Sequence, residues 1–147
     1  MHTDRIDHLT FLTKDLDTVV NAWAKFTGVE PMFEDDNTET DGVKEVTFLF
    51  PHGIVFQQVT DETKPYAASI KDLPEGIHTM TIAVQSMKDA KPEMEALGYS
   101  VIRERVNIMQ GAKFCTYNTY EDLGFNVEVQ QWIDMFDYGY DETEVKY

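Results

Sequence analysis

The sequence predicts an α+β fold in which a βαβββ unit occurs twice in tandem. Three observations lead there. Each half opens on an alternating run rich in β-formers, each follows it with an apolar stripe at helical spacing closed by glycine, and the halves match at an offset of about 71 positions. At that offset Ile6 falls on Ile77, Leu9 on Met80, Thr10 on Thr81, Gly53 on Gly124 and Gln57 on Glu128, with Gly28 one residue off Gly98. Two such units joined edge to edge form a curved, half-open mixed β-barrel with the helices outside.

In the first half, residues 5–13 alternate as a strand. Asp15 or Asp17 caps a helix whose stripe is Leu16, Val19, Val20, Trp23 and Phe26, ending at Gly28. A short strand is expected near 29–34. The run from Glu34 to Asp41 is too charged and turn-rich for core and reads as a loop, before strands near 43–50 and 54–60. In the second half Gly76 to Val84 is a strand and Ser86 to Leu97 a helix closed by Gly98. Pro92 should delay its regular part to about Asp89. Strands near 99–105, 112–120 and 125–131 complete the repeat. The expected organisation is one domain over 1–147: module 1 about 4–60, a linker 61–74 holding Pro65 and Pro74, module 2 about 75–132, and a tail 133–147.

A chain of 147 residues suits one domain or two small modules sharing a core, and 42% hydrophobic content is well above the disordered range. The formal charge of −15 repels phosphate backbones and anionic membrane surfaces, which argues against nucleic-acid and membrane partners. No apolar run approaches the roughly 18 residues of a membrane span, and no secretory leader opens the chain, so a soluble cytoplasmic protein is expected. The single cysteine, Cys115, cannot form an internal disulfide and reads as a buried structural thiol. Exposed sheet edges suggest a homodimer. The tail mixes Trp132, Phe136, Tyr138, Tyr140 and Tyr147 with acids; it closes over the cavity or a partner subunit, or it frays.

Side chains two apart share a strand face. Leu9 and Phe11 belong under the first helix, which leaves His8, Thr10 and Leu12 on the concave face. The same parity places Glu45 and Thr47, then Gln57, then Thr79 and Thr81, and finally Asn126 and Glu128 on that face, with His78 toward the helix unless a one-residue slip or bulge turns it inward. Buried polar groups without partners cost several kcal/mol, so groups converging from four strands call for a ligand, a metal or water. An imidazole and two oxygen donors, His8, Gln57 and Glu128, can hold a divalent cation, and a bound cation stabilises an enolate formed from a carbonyl.

Ile6-Asp7-His8-Leu9 before an amphipathic helix, Gly76-Ile77-His78-Thr79-Met80, and Gly124-Phe125-Asn126-Val127-Glu128-Val129 together resemble the vicinal-oxygen-chelate superfamily over about residues 5–132. That superfamily holds glyoxalases, bleomycin-binding proteins, extradiol dioxygenases and methylmalonyl-CoA epimerase, and the epimerase is the nearest variant. The resemblance implies metal ligands at His8, Gln57 and Glu128, with Glu45 and Glu128 as the carboxylates that move protons on either side of a substrate carbon. Thr10, Thr47, Thr79, Thr81 and Asn126 would then line the substrate pocket. The chain departs from the family where Thr79 replaces a ligand histidine, which leaves a three-ligand site or none. The function implied is a metal-assisted isomerase, epimerase or lyase acting beside a carbonyl. A metal-free binding protein of the bleomycin-resistance type, suited to a cationic ligand, is the second reading, and a ferrous extradiol dioxygenase the third.

Overall fold

The structure is a computed structural model, and it describes residues 1, 3–49, 52–107 and 111–132. Among these residues the chain forms eight strands and five helices, and the βαβββ order occurs in each half, so the class is α+β as expected. Contacts divide the chain into two compact units, one of His8–Met80 and one of Met1–Asp7 with Thr81–Tyr147. The tail residues Phe136, Tyr138, Tyr140 and Tyr147 lie outside the described residues.

In the unit His8–Met80, β1 (Thr3–Leu12) leads to α1 (Leu16–Thr27), then β2 (Phe33–Asn37), α2 (Thr38–Asp41), β3 (Val43–Phe48), β4 (Gly53–Val59), α3 (Pro65–Ile70) and the start of β5 (Gly76–Val84). The sheet order is β2-β3-β4-β1, with β1 parallel to β4 and the other neighbours antiparallel. Asp15 caps α1 by accepting the Thr18 N–H, and Gly28 ends it in the left-handed region at φ 70°. The buried face of α1 packs on the sheet through Leu16, Val20 and Trp23 against Leu9, Phe11, Val46, Phe48, Ile54 and Phe56, the side that parity gave for Leu9 and Phe11.

One expectation here needs correction. The acidic run read as a loop supplies β2 and α2. β2 is an edge strand whose outward residues Glu34 and Asp36 are exposed, and an edge tolerates charge that a central strand does not. The segment read as linker contains α3, which starts on a proline at its first position and buries Tyr66, Ala67 and Ile70.

In the other unit, β5 ends and α4 (Met87–Ala96) follows, then β6 (Val101–Asn107), β7 (Ala112–Tyr117), α5 (Tyr120–Leu123) and β8 (Asn126–Trp132), in the sheet order β5-β8-β7-β6. Ser86 caps α4 through the Asp89 N–H, so the helix is regular from Met87 and keeps Pro92 inside it. The expected late start fails because the bond that Pro92 cannot make belongs to the Lys88 carbonyl, and both residues sit on the exposed face where water can satisfy it. Met87, Ala90 and Met94 pack on Val84, Cys115, Tyr117 and Val129. Cys115 is the buried thiol expected, and burial pushes its pKa up to about 12.

Candidate active site

In the unit His8–Met80 the antiparallel register sets Glu45 of β3 directly opposite Gln57 of β4. Both side chains are withdrawn from water, Glu45 to 8% exposure and Gln57 to 1%. The Gln57 amide Nε2 donates to Glu45 Oε1. The second carboxylate oxygen, Oε2, accepts from Asn37 Nδ2 of β2 at 2.7 Å. The far end of the Gln57 amide is held as firmly: Oε1 accepts from the Tyr66 hydroxyl of α3 at 3.0 Å and lies 2.9 Å from His78 Nε2 of β5. His78 Nδ1 in turn lies 2.8 Å from the Thr79 hydroxyl.

The proton positions along this chain follow from the orientation of the Gln57 amide, which turns its NH2 to Glu45 and its carbonyl oxygen to Tyr66 and His78. A carbonyl only accepts, so His78 carries its proton on Nε2. In the neutral ring Nδ1 is then an acceptor for the Thr79 hydroxyl. Asn37, Glu45, Gln57, Tyr66, His78 and Thr79 thus form one polar network in which these bonds have consistent donors and acceptors.

This placement corrects the parity argument for His78. The apolar underside of a helix offers no partner to an imidazole, whereas Gln57 and Thr79 satisfy both of its nitrogens. The strand also begins at Gly76 with φ 116°, outside the regular pleat on which parity depends. Farther along β5 the rule holds, since Val84 packs under α4 and Thr81 lies on the other side.

The register sets His8 and Gln57, the expected cation donors of this unit, at different heights. His8 pairs with Gly53 across the parallel β1–β4 ladder, whereas Gln57 pairs with Leu12, four residues farther along β1. At a rise of about 3.3 Å per residue their backbones are offset by about 13 Å along the strands, so only extended side chains turned toward each other would meet at one ion. The β4 residue next on His8's face after Gly53 is Val55, which has no donor. Gln57 Oε1 has both of its lone pairs engaged by Tyr66 and His78. Thr10 and Thr47 flank Val55 from β1 and β3, Thr10 buried and Thr47 half-buried. Among the described residues no three His, Cys, Asp or Glu side chains group for metal binding.

In the other unit, Glu128 of β8 stands opposite Thr116 of β7. Its carboxylate accepts from Thr81 Oγ1 at 2.9 Å on one oxygen and from Thr116 Oγ1 at 2.5 Å on the other. Asn126, expected to line a pocket, instead accepts the Thr119 N–H at 3.2 Å, and the Thr119 hydroxyl bridges to Phe125 O and Val127 N; its side chain serves the turn around α5.

Sequence reasoning missed Tyr66 and Asn37. Tyr66 was legible in part: Pro65 is a good first helical residue, and Tyr66, Ala67 and Ile70 have helical spacing. Nothing in the sequence marks Asn37, whose role depends on the β2–β3 register, where it sits two residues beyond Asp35, the direct partner of Glu45.

Among curated proteins none matches the chain in sequence. Solved structures do match in fold. Methylmalonyl-CoA epimerase from Mycobacterium tuberculosis is 16% identical with a TM-score of 0.73, covering 90% of this chain and 90% of that one. A variant of Streptomyces coelicolor methylmalonyl-CoA epimerase in complex with 2-nitronate-propionyl-CoA is 18% identical with a TM-score of 0.69, covering 90% and 99%. A hypothetical protein from Bacillus halodurans C-125 is 20% identical with a TM-score of 0.70, covering 91% and 98%. The sequence model of the Glyoxalase/Bleomycin resistance protein/Dioxygenase superfamily matches residues 7–117, and the chain belongs to that superfamily.

Proposed function

We propose that this protein is an enzyme that moves a proton at a carbon beside a carbonyl, an epimerase, isomerase or lyase of small molecules, with Glu45 as the carboxylate that takes the proton. The observation that carries the reading is the support of Glu45: a withdrawn carboxylate with an amide N–H on each oxygen, one of them from a glutamine held at its far end. Donors on both oxygens fix the direction of its remaining lone pairs. Exclusion of water strengthens its interaction with a polarised C–H. Glu128 is the second carboxylate in this reading, assigned by the family resemblance and oriented by Thr81 and Thr116. No step is routed through a metal ion, since Gln57 Oε1 is already engaged by Tyr66 and His78.

Epimerases that act on methylmalonyl-CoA are among the structural neighbours, so acyl thioesters of 2-substituted acids are the first compounds to test. The protein is incubated in D2O with such thioesters and with 2-hydroxy and 2-oxo carbonyl compounds, and deuterium at the α-carbon is followed by proton NMR. Exchange by wild type, lost in Glu45→Gln and reduced in Glu128→Gln, is the expected result. No exchange with any compound would overturn the reading. The same reading places the protein in the cytoplasm as a homodimer, which fractionation and sedimentation test.

The internally satisfied state of Gln57 and the charge of −15 favour one other reading, a metal-free protein that sequesters a cationic aromatic ligand. Tight binding of such a ligand, weakening steeply with salt and accompanied by no exchange, would decide for it.

A further inference from the structure

The unit that holds Glu128 also carries most of the chain's arginine. The sequence has three, Arg5, Arg103 and Arg105. The last two stand two residues apart on the edge strand β6 and so share one of its faces. The register shows which face. Arg103 is opposite Thr116 of β7, and Thr116 opposite Glu128 of β8; Arg105 is opposite Phe114, and Phe114 opposite Gln130. Cys115 and Val129, of the other parity, pack with α4. The face turned away from α4 therefore carries two rows, Arg103-Thr116-Glu128 and Arg105-Phe114-Gln130. Two residues of strand rise set the rows about 6.6 Å apart.

Arg103 is withdrawn to 8% exposure and Gln130 to 5%. Arg103 Cζ lies 5.1 Å from the centre of the Phe114 ring, a cation–π contact that joins the two rows diagonally and limits where the guanidinium can turn. Two guanidinium groups on one face repel each other, and withdrawing one from water is costly, so an anion whose oxygens serve both lowers the energy of the arrangement. A net charge of −15 repels anions at long range, which makes a local pair of cations the feature that would admit one. Both positions hold arginine rather than lysine, and its planar fork matches the two oxygens of a carboxylate. Glu128, in the Arg103 row, has a hydroxyl on each oxygen, from Thr81 and Thr116.

We propose that Arg103, assisted by Arg105, binds a carboxylate of the substrate, so that the compound whose proton moves is a carbonyl acid rather than a neutral carbonyl compound. Two sources share this chemistry, the thioester of a malonate-type acid and a free 2-oxo acid. In both, the carboxyl carbon lies one or two bonds from the carbon that loses its proton, so an anchored carboxylate fixes where that carbon sits in the unit that holds Glu128. This specificity rests on the proton-transfer reading, whereas the anion binding is measurable without any turnover.

The test uses the full chain labelled with 15N, its three arginine Nε–H signals assigned through Arg5→Lys, Arg103→Lys and Arg105→Lys. The N-acetylcysteamine monothioester of methylmalonate and 2-oxobutanoate are titrated in at fixed ionic strength, each beside its methyl ester, which keeps the carbon skeleton and lacks the charge. The expected result is saturable shifts of the Arg103 and Arg105 signals with at least one acid, an unmoved Arg5 signal, and an ester weaker by about tenfold or more. The acid that binds more tightly identifies which of the two sources is taken. Arg103→Lys, which keeps the charge and loses the fork, should weaken the acid by about tenfold or more and leave the ester unchanged. Arg105→Lys, at a half-buried position, gives the same reading if Arg103→Lys fails to fold. Acid and ester bound alike, or no shift of either signal with either acid, would overturn the proposal. With an exchanged substrate, Arg103→Lys should lower kcat/KM for the acid and spare the ester, a difference that a merely structural residue does not produce. Acid-specific shifts without α-deuterium uptake would defeat the enzyme reading and leave the anion site standing; uptake into the ester as fast as into the acid would do the reverse.

Discussion

Glu45, Gln57 and the glycine that seats their support show how single residues set the site. Gly42 ends α2 at φ 76°, and its carbonyl accepts from both Thr60 N at 2.8 Å and Asp61 N at 3.1 Å. A Cβ added there would lie 2.1 Å from Asp61 O and 2.7 Å from the Ala67 side chain of α3. Gly42→Ala combines left-handed strain with a backbone clash and pushes on the helix that carries Tyr66. It should lower stability by about 2–4 kcal/mol in a denaturant titration. Cys115 supports a second prediction at this scale. Its folded pKa is pushed from 9.0 to about 12 chiefly by burial, with the Glu104 carboxylate 3.5 Å away adding to the rise. The protonated thiol is therefore favoured in the fold. Its contribution to stability is complete below pH 9.0 and is lost as pH rises from there toward about 12. A thiol reagent at pH 8 should label Cys115 only as fast as the protein opens, and instant labelling of native protein would contradict this.

Elements were legible in the sequence to the degree that their signals were local. α1 carried an N-cap, an apolar stripe and a closing glycine within one short window, and it lies where they placed it. The strand expected near 29–34 lies farther on, at Phe33–Asn37, and α2 was missed, because the charge of the 34–41 run reports exposure and an edge strand is half exposed. α4 was expected to become regular only from about Asp89 because of Pro92, but solvent on that face removes most of the reason. Restoring the missing bond with Pro92→Ala should therefore stabilise the protein by about 1 kcal/mol or more, read as a higher melting temperature. Three aspartates at turns or helix starts, Asp15, Asp36 and Asp61, each have a pKa lowered first by a threonine hydroxyl and then by a backbone N–H, from Thr18, Thr38 and Thr63 respectively. Depressed folded values mean stability that is present above the usual 3.8 and lost as pH falls through the lower folded values. Asp15→Asn, Asp36→Asn and Asp61→Asn together should flatten the acid limb of a stability profile.

At the scale of the whole molecule the duplicated βαβββ order was the strongest signal, since two stretches of chain had to agree on it independently. The candidate site was less legible. Parity put Glu45 and Gln57 on one face, and the register brings them together. Parity could not set the relative height of His8 and Gln57, because height on a parallel pair depends on the long connection through α1, β2, α2 and β3 and no local residue encodes it. His78 was misplaced because its two hydrogen bonds outweigh the pleat of a strand opening on a positive-φ glycine. Tyr66 lay in the stretch read as a linker between the modules. The central claim is that Glu45, held by Gln57 and Asn37, takes the proton. It is tested most directly by the rate of α-deuterium uptake into an acyl thioester at pH 7 in Glu45→Gln against wild type, with both proteins matched in melting temperature. A fall of about 10²–10⁴-fold is the outcome required of a proton-transfer group; uptake at the wild-type rate in the folded variant would contradict the claim.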